Sequence, residues 1–239
     1  MTDLTNPVPL GRRVFAEALG TGALVTVVVG SGIMAAQLSD DVGVQLLINA
    51  VATGAALYVL IAQLAPISGA QLNPVVTGLD AVFGGRHALS VGLYVGAQVV
   101  GAVLGAMLAN LMFALPAVDW STHDRVTAAT LLEEVVATFG LTAVVFGLVR
   151  SGRAPLVAPS VALYITSAYF FTSSTSFANP AVTIGRMFSD TFAGIAPASA
   201  PAFIAAQVGG AALGYLAVHG LWPLPKTEAP ENIVMEEQA

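Results

Sequence analysis

Asn73-Pro74-Val75-Val76-Thr77 and, 106 residues later, Asn179-Pro180-Ala181-Val182-Thr183 decide how this chain folds. Asn is among the strongest N-cap residues, and Pro is favoured at the first helical position, where its missing N–H has no partner to lose. Each Asn-Pro therefore reads as a helix start. The apolar segments they open, Asn73 to Gly84 and Asn179 to Asp190, run to about 12 residues and rise only about 18 Å, against a bilayer core of about 30 Å. They are expected to be re-entrant half-helices. A helix start at membrane depth is tolerated only where it is buried in protein or lines a wet cavity, because its free N–H groups would otherwise be stranded in hydrocarbon.

The rest of the chain is membrane-like. It is 239 residues long, 56% hydrophobic and 9% charged, whereas soluble domains carry roughly 25% charged residues. At about 20 residues per span the length holds about six spans and leaves no room for a separate soluble domain. Apolar blocks place them near 12–36, 43–65, 87–115, 126–150, 156–172 and 201–222, each bounded by Pro, Gly, Asp or Arg. The first run, Val14 to about Ala36, is too long for the apolar core of a signal peptide and is expected to span.

Three landmarks recur in the same order. Besides the Asn-Pro pair, Ala97 to Gly105 matches Ala206 to Gly214, and Glu17 to Thr21 more weakly resembles Glu134 to Thr138, at offsets of 109 and 117 residues. The chain thus reads as two copies of three spans plus a half-helix. An odd number of spans per copy gives the copies opposite orientations, an inverted repeat. That symmetry brings both Asn-Pro starts to the midplane. Their positive helix ends would converge there, disfavouring cations, while the Asn73 and Asn179 amides offer donors to a passing oxygen.

Charge is sparse. The formal net charge is −6, and Glu228, Glu231, Glu236 and Glu237 fall in a C-terminal stretch that reads as a solvated tail. No basic cluster exists beyond Arg12-Arg13, so nucleic acid is not an expected partner. With the N-terminus cytoplasmic, Arg12, Arg13, Arg86, Arg150, Arg153 and Lys226 lie inside and only Arg125 and Arg186 outside, which favours that orientation. Absence of cysteine excludes disulfides, thiolate metal sites and Cys nucleophiles. His87, His123 and His219 are scattered, so neither a metal nor a cofactor is expected.

Ser68-Gly69-Ala70-Gln71-Leu72-Asn73-Pro74-Val75-Val76-Thr77 and Asn179-Pro180-Ala181-Val182-Thr183, with Glu17 and Glu134 upstream, resemble the paired signature of aquaporins and aquaglyceroporins over about residues 12 to 222. The resemblance implies an all-α membrane protein of six transmembrane helices plus two re-entrant half-helices. It implies one channel domain over 1–222, with repeats at about 12–115 and 126–222, followed by the acidic tail 223–239. It also implies a homotetramer in membrane lipid, at the cell membrane and in bacteria the inner one, conducting water or small neutral solutes passively. No enzymatic activity is implied.

Departures from the family pattern carry the substrate reading. The family usually has an Arg three residues after the second Asn; here that position is Val182. Family spacing carries the other filter positions to Thr53, Ser167 and Ser176, which implies a wide, neutral, hydroxyl-lined filter. Val75 replaces the usual Ala at the midplane beside Pro74, Pro180 and Ala181, and Gln71 replaces the usual His. Such a filter suits glycerol, urea or undissociated acids of arsenic, antimony or boron. The stretch from Asn179 to Gly194 further resembles a bacterial subgroup linked to arsenic resistance, so arsenous acid or its methylated relatives are favoured.

Glu17 and Glu134 resemble structural acceptors for loop N–H groups, with a proton relay as the alternative. Arg186 reads as a surface or tetramer contact, the alternative being a reach back of one turn to replace the missing filter charge. Gly92-x-x-x-Gly96 and Gly101-x-x-x-Gly105 read as close helix packing, and Asp80 and Asp190 as partners of loops. A proton-coupled secondary transporter and a mainly water-conducting channel remain the competing functions; an intramembrane enzyme finds no matched Ser-His or acid pair.

Overall fold

A computed structural model describes residues 8–84 and 87–223. Arg86, Lys226 and the acidic tail lie outside the described residues. The chain runs through α1 (Leu10–Leu38), α2 (Val42–Ser68), α3 (Pro74–Gly84), α4 (Ala88–Met112), α5 (Ala128–Arg150), α6 (Val157–Phe171), α7 (Pro180–Arg186) and α8 (Ala200–Leu221), with a single 3₁₀ turn, Ala154–Leu156, leading into α6. Among the described residues six segments are long and apolar enough to cross a membrane, namely α1, α2, α4, α5, α8 and α6 taken with its leading turn as Ala154–Phe171, and α3 and α7 are the short helices.

Local chemistry sets the helix starts. Asp41 caps α2 by accepting from the Gly43 and Val44 N–H groups at 2.7 and 3.1 Å. Thr127 and Thr130 form a reciprocal capping box on α5, satisfying donors the helix leaves free. At its other end α2 stops on Gly69, whose φ of 91° is the left-handed cap that favours glycine. The second half-helix ends at Arg186, four residues short of the expected Asp190: Met187 and Phe188 N–H fold back onto Ile184 and Gly185 carbonyls, tightening the last turn and closing it.

Packing repeats between the two halves. α1 lies on α4 where a Cβ on Gly101 or Gly105 would run into the Ala18 or Gly22 carbonyl. α5 lies on α8 where a Cβ on Gly210 would run into the Val135 carbonyl and one on Gly214 into the Thr142 hydroxyl. Close backbone approach through small residues is how helices associate where lipid is as apolar as the side chains. Gly92 and Gly96, by contrast, are exposed with nothing within 4 Å, so that pair does not pack against its own chain. The outward faces carry exposed Phe15, Leu104, Leu163, Phe170 and Leu216, an apolar coat that suits hydrocarbon.

Because α3 and α7 each start in the interior and run outward, the chain has two unlike faces. The start of α1, the ends of α3, α5 and α8, and Arg150 and Arg153 lie on one. The α4–α5 loop with Arg125, the end of α7 with Arg186 and the segment 187–199 lie on the other.

Candidate functional site

One buried carboxylate holds the approach to each half-helix. Glu17 is fully buried and accepts from the Ser68 hydroxyl (2.6 Å), the Gln71 and Leu72 N–H groups (3.0 and 2.7 Å) and Gln98 Nε2 (2.7 Å). Glu134 does the same on the other half, from Phe177 and Ala178 N–H (both 2.9 Å) and Gln207 Nε2 (2.8 Å). Gln98 and Gln207 pass the network on to Thr77 and Thr183 within α3 and α7, each at 2.9 Å. Buried loop N–H groups need acceptors, and the carboxylates supply them. They also hold a strained backbone: Ala70, Leu72, Ser176 and Ala178 have φ between 45 and 51°.

Those loops deliver the two asparagines to one point. Asn73 Oδ1 accepts from Val75 N–H at 3.0 Å, and Asn179 Oδ1 accepts from Ala181 and Val182 N–H at 3.0 and 3.3 Å, which caps α3 and α7. Each amide also crosses over: Asn73 Nδ2 donates to the Ala178 carbonyl and Asn179 Nδ2 to the Leu72 carbonyl, both at 2.8 Å. An amide nitrogen carries two hydrogens, so one on each asparagine is left for the cavity that both residues line.

That cavity encloses about 100 Å³. Helical stripes at intervals of four wall it: Thr53, Leu57 and Ile61 on α2, and Val157, Val161, Ile165 and Tyr169 on α6. Gln71, Ile61 and Val157 are shared with a second cavity of about 800 Å³, which opens toward the face bearing the ends of α3 and α5 and is lined there by Asp80 and Arg150. The opposite end is lined by Ser176, Phe177, Val182 and Arg186.

Several expectations about this end change. Ser167 is exposed, donates to the Tyr164 carbonyl at 2.7 Å and sits off the lining stripe; Tyr169, two residues on, takes the place and shares a 3.1 Å hydrogen bond with Thr53. Arg186, expected as a surface or tetramer contact, is instead buried within its own chain. It is 2% exposed, its Nε donates to the Ala193 carbonyl, and its guanidinium carbon stands 3.4 Å from the Phe177 ring centroid. The end at Val182 is therefore lined by a cation and is not neutral. Val75 is buried against Phe146, Ala211 and Val218 rather than at the cavity, and Pro74, Pro180 and Ala181 back the tips without lining it. Asp190 lies beyond α7 and accepts from Thr122 N–H at 2.8 Å.

Sequence reasoning missed Tyr169, Phe177 and the Gln98 and Gln207 links. The two glutamines stand at matched places in the Ala-Gln-Val repeat, and Tyr169 follows from the four-residue stripe, so both signals were present. Nothing local marks Phe177.

A profile described as major intrinsic protein matches residues 5–174. The aquaglyceroporin AqpS of Rhizobium meliloti (strain 1021) is 50% identical over 202 residues, covering 84% of this chain and 86% of that protein. A probable TIP-type aquaporin of Medicago truncatula is 32% identical over 184 residues, covering 71% and 72%. In three dimensions the X-ray structure of the aquaglyceroporin from Plasmodium falciparum superposes with a TM-score of 0.70 at 20% identity, covering 90% of this chain and 98% of that one, which shows the fold. With six membrane-length helices, two half-helices meeting tip to tip and these relatives, the chain is a multi-pass, non-enzymatic membrane channel protein and belongs to the major intrinsic protein family.

Proposed function

We propose that the chain is a passive channel for small neutral solutes that carry hydroxyls: arsenous acid and methylated arsenicals first, with glycerol and water alongside. The carrying observation is one cavity that both half-helix tips line, contiguous with a wide vestibule on one face and reaching Val182 on the other. Asn73, Asn179 and the Thr53–Tyr169 hydroxyl pair give a solute hydrogen-bond partners along walls that are otherwise apolar. Converging positive ends of α3 and α7 disfavour cations at the tips. Val182 stands where the family commonly has Arg, so the charge at this end comes from Arg186 one turn further on; the name of the Rhizobium relative, an aquaglyceroporin, supports glycerol, and the resemblance to an arsenic-linked subgroup supports the arsenicals.

Further parts of the reading are a single channel domain over 1–222, a homotetramer, and residence in a cell membrane, the inner one in a bacterium. The exposed Gly92 and Gly96 leave room for close contact with a neighbouring copy. The face bearing Arg150 and Arg153 is assigned to the cytoplasm, with both termini, by the positive-inside tendency. A mainly water-conducting channel is the second reading, favoured by Tyr169 and Arg186, which put bulk and charge at the outer end.

Stopped-flow light scattering on proteoliposomes, with water, glycerol, urea and arsenous acid compared side by side, tests this. Arsenous acid and glycerol should cross well above protein-free vesicles and none should be driven uphill by a proton gradient. Water flux alone would establish the second reading, and gradient-driven uptake would establish a coupled transporter.

A further inference from the structure

Arg125 and Arg186 share one short segment. Arg125 Nε and Nη2 donate to the Gly194 and Phe192 carbonyls at 2.6 and 3.0 Å, and Arg186 Nε donates to the Ala193 carbonyl between them. Both guanidinium groups also lie over the Phe177 ring, at 5.5 and 3.4 Å from its centroid. Laid end to end those distances bring the two guanidinium carbons within about 9 Å of each other. All three acceptors are neutral.

Glu134 acts electrostatically on both guanidinium groups without pairing with either, so one negative charge stands against two positive ones. Among the described residues neither arginine makes an ion pair. Glu134 is taken up by Phe177, Ala178 and Gln207, Glu133 by Ser173 and Ser174, Asp124 by Ser199 and Asp190 by Thr122. The terminal nitrogens of Arg186 have no acceptor among the described residues and are left to the cavity that the residue lines. A second, independent feature lies beside them: Ser176, 4% exposed and lining the same end, has a hydroxyl without a hydrogen-bond partner. Uncompensated donors of this kind are expensive to bury.

We propose that the outer end of the cavity is a binding site for a small monovalent anion, held by the Arg186 terminal N–H groups and the Ser176 hydroxyl and attracted by Arg125 at the rim. The chemistry required is a single negative charge and compact acceptor atoms, which a halide, nitrate or the singly ionised form of an oxyacid shares. Two like charges at short range, one of them buried, attract such an ion and are relieved by it. The anion occupies the stretch of the passage wall that Arg186 lines on this face, so it competes there with a neutral solute.

Chloride is the probe. The ³⁵Cl NMR line of a chloride solution should broaden in the presence of the detergent-solubilised full chain, and nitrate should reverse the excess. Arg186→Gln should weaken chloride binding at least tenfold, and Arg125→Gln and Ser176→Ala, which spare the buried arginine, should weaken it less. In proteoliposomes, replacing gluconate by chloride at equal osmolarity should slow glycerol entry in the unaltered protein and not in Arg186→Gln. Broadening no greater than in Arg186→Gln, or unchanged in both Arg125→Gln and Ser176→Ala, overturns the site; a free ion in bulk would behave in that way. The channel reading stands or falls separately, since glycerol flux without chloride binding removes only the anion site, and chloride binding without any flux removes only the channel.

Discussion

Asn73 and Asn179 each donate a side-chain hydrogen bond to the carbonyl that immediately precedes the other, at 2.8 Å in both directions. The exchange locks two helix starts from opposite halves of the chain to one another, and it leaves one amide hydrogen on each to face the cavity. Fold and site are therefore the same contact: whatever separates the tips also dismantles the passage.

Asn73→Ala should accordingly damage stability and flux together. It removes a cap, which is worth about 1 kcal/mol, and a buried cross-link, which leaves the Ala178 carbonyl unsatisfied at a further ~1–3 kcal/mol. We expect a lowered unfolding temperature in detergent and a solute permeability that falls by more than the amount of folded protein does. Permeability per folded molecule equal to that of the unaltered chain would show that the tip amide does not touch the solute.

The carboxylates give a second test, which also separates a structural role from a proton relay. In Glu134→Gln the new amide turns one acceptor into a donor, opposing the Phe177 or Ala178 N–H in a fully buried place. Unsatisfied donors of this kind cost about 1–3 kcal/mol each. Folded yield should drop markedly, and so should that of Glu17→Gln, because Glu17 accepts from a matching set. A well-folded Glu134→Gln that conducts the solute but has lost dependence on a proton gradient would instead establish the relay.

The Asn-Pro pairs, the six spans and the carboxylate positions were legible because each is a local or periodic signal with its own physical cause. The filter was harder. Carrying positions over by spacing assumed an unchanged helix phase and so reached Ser167, whereas the stripe Val157, Val161, Ile165 and Tyr169 states the true phase of α6. Arg186 shows a different limit. Its burial is decided by Phe177 and by the Ala193 carbonyl, contacts made across a loop whose path no local pattern specifies. The small-residue pair Gly92 and Gly96 is indistinguishable in sequence from Gly101 and Gly105, yet only the second pair meets another helix.

That contrast is measurable. Gly101→Ala places a Cβ into the Ala18 backbone carbonyl, which cannot move aside as a flexible side chain would; overpacking of this sort costs about 1–3 kcal/mol. Gly92→Ala meets nothing within 4 Å of its own chain. Thermal unfolding in detergent should therefore fall clearly for Gly101→Ala and stay within error for Gly92→Ala at protein concentrations where the chain is monomeric. Equal shifts in both would mean that α4 packs differently.

On the outer face the clamp between Asp190 and the α4–α5 loop has a defined pH response. The Thr122 backbone N–H, helped by the Thr122 hydroxyl and by His123 at 3.6 Å, holds the Asp190 carboxyl below its ordinary range. A group whose folded value is lowered contributes stability that is present above its ordinary value, about 3.9, and is lost as pH falls through the lowered one. Trp120, in the same loop as Thr122 and packed at a tilt on Phe188 with ring centroids 4.5 Å apart, reports on it. Its emission should stay constant from pH 8 to about 4 and change below, while Asp190→Asn should be displaced already at pH 7; a transition between pH 5 and 8 that Asp190→Asn abolishes would contradict the direction argued here.

Val182 carries the last prediction, because it lines the cavity one helical turn from a guanidinium that is already there. Val182→Arg introduces a second buried cation into about 100 Å³, where the added side chain takes up space and repels its neighbour. A barrier rise of about 1.4 kcal/mol is a tenfold loss of rate, and the combined steric and electrostatic effect should reach at least that for glycerol and arsenous acid. Water is smaller and forms hydrogen bonds with either wall, so it should lose less. Stopped-flow permeabilities of the variant and the unaltered protein decide it: a fall in the ratio of glycerol to water flux places Val182 at the selective constriction, whereas an unchanged ratio would move the constriction inward to the Asn73 and Asn179 tips.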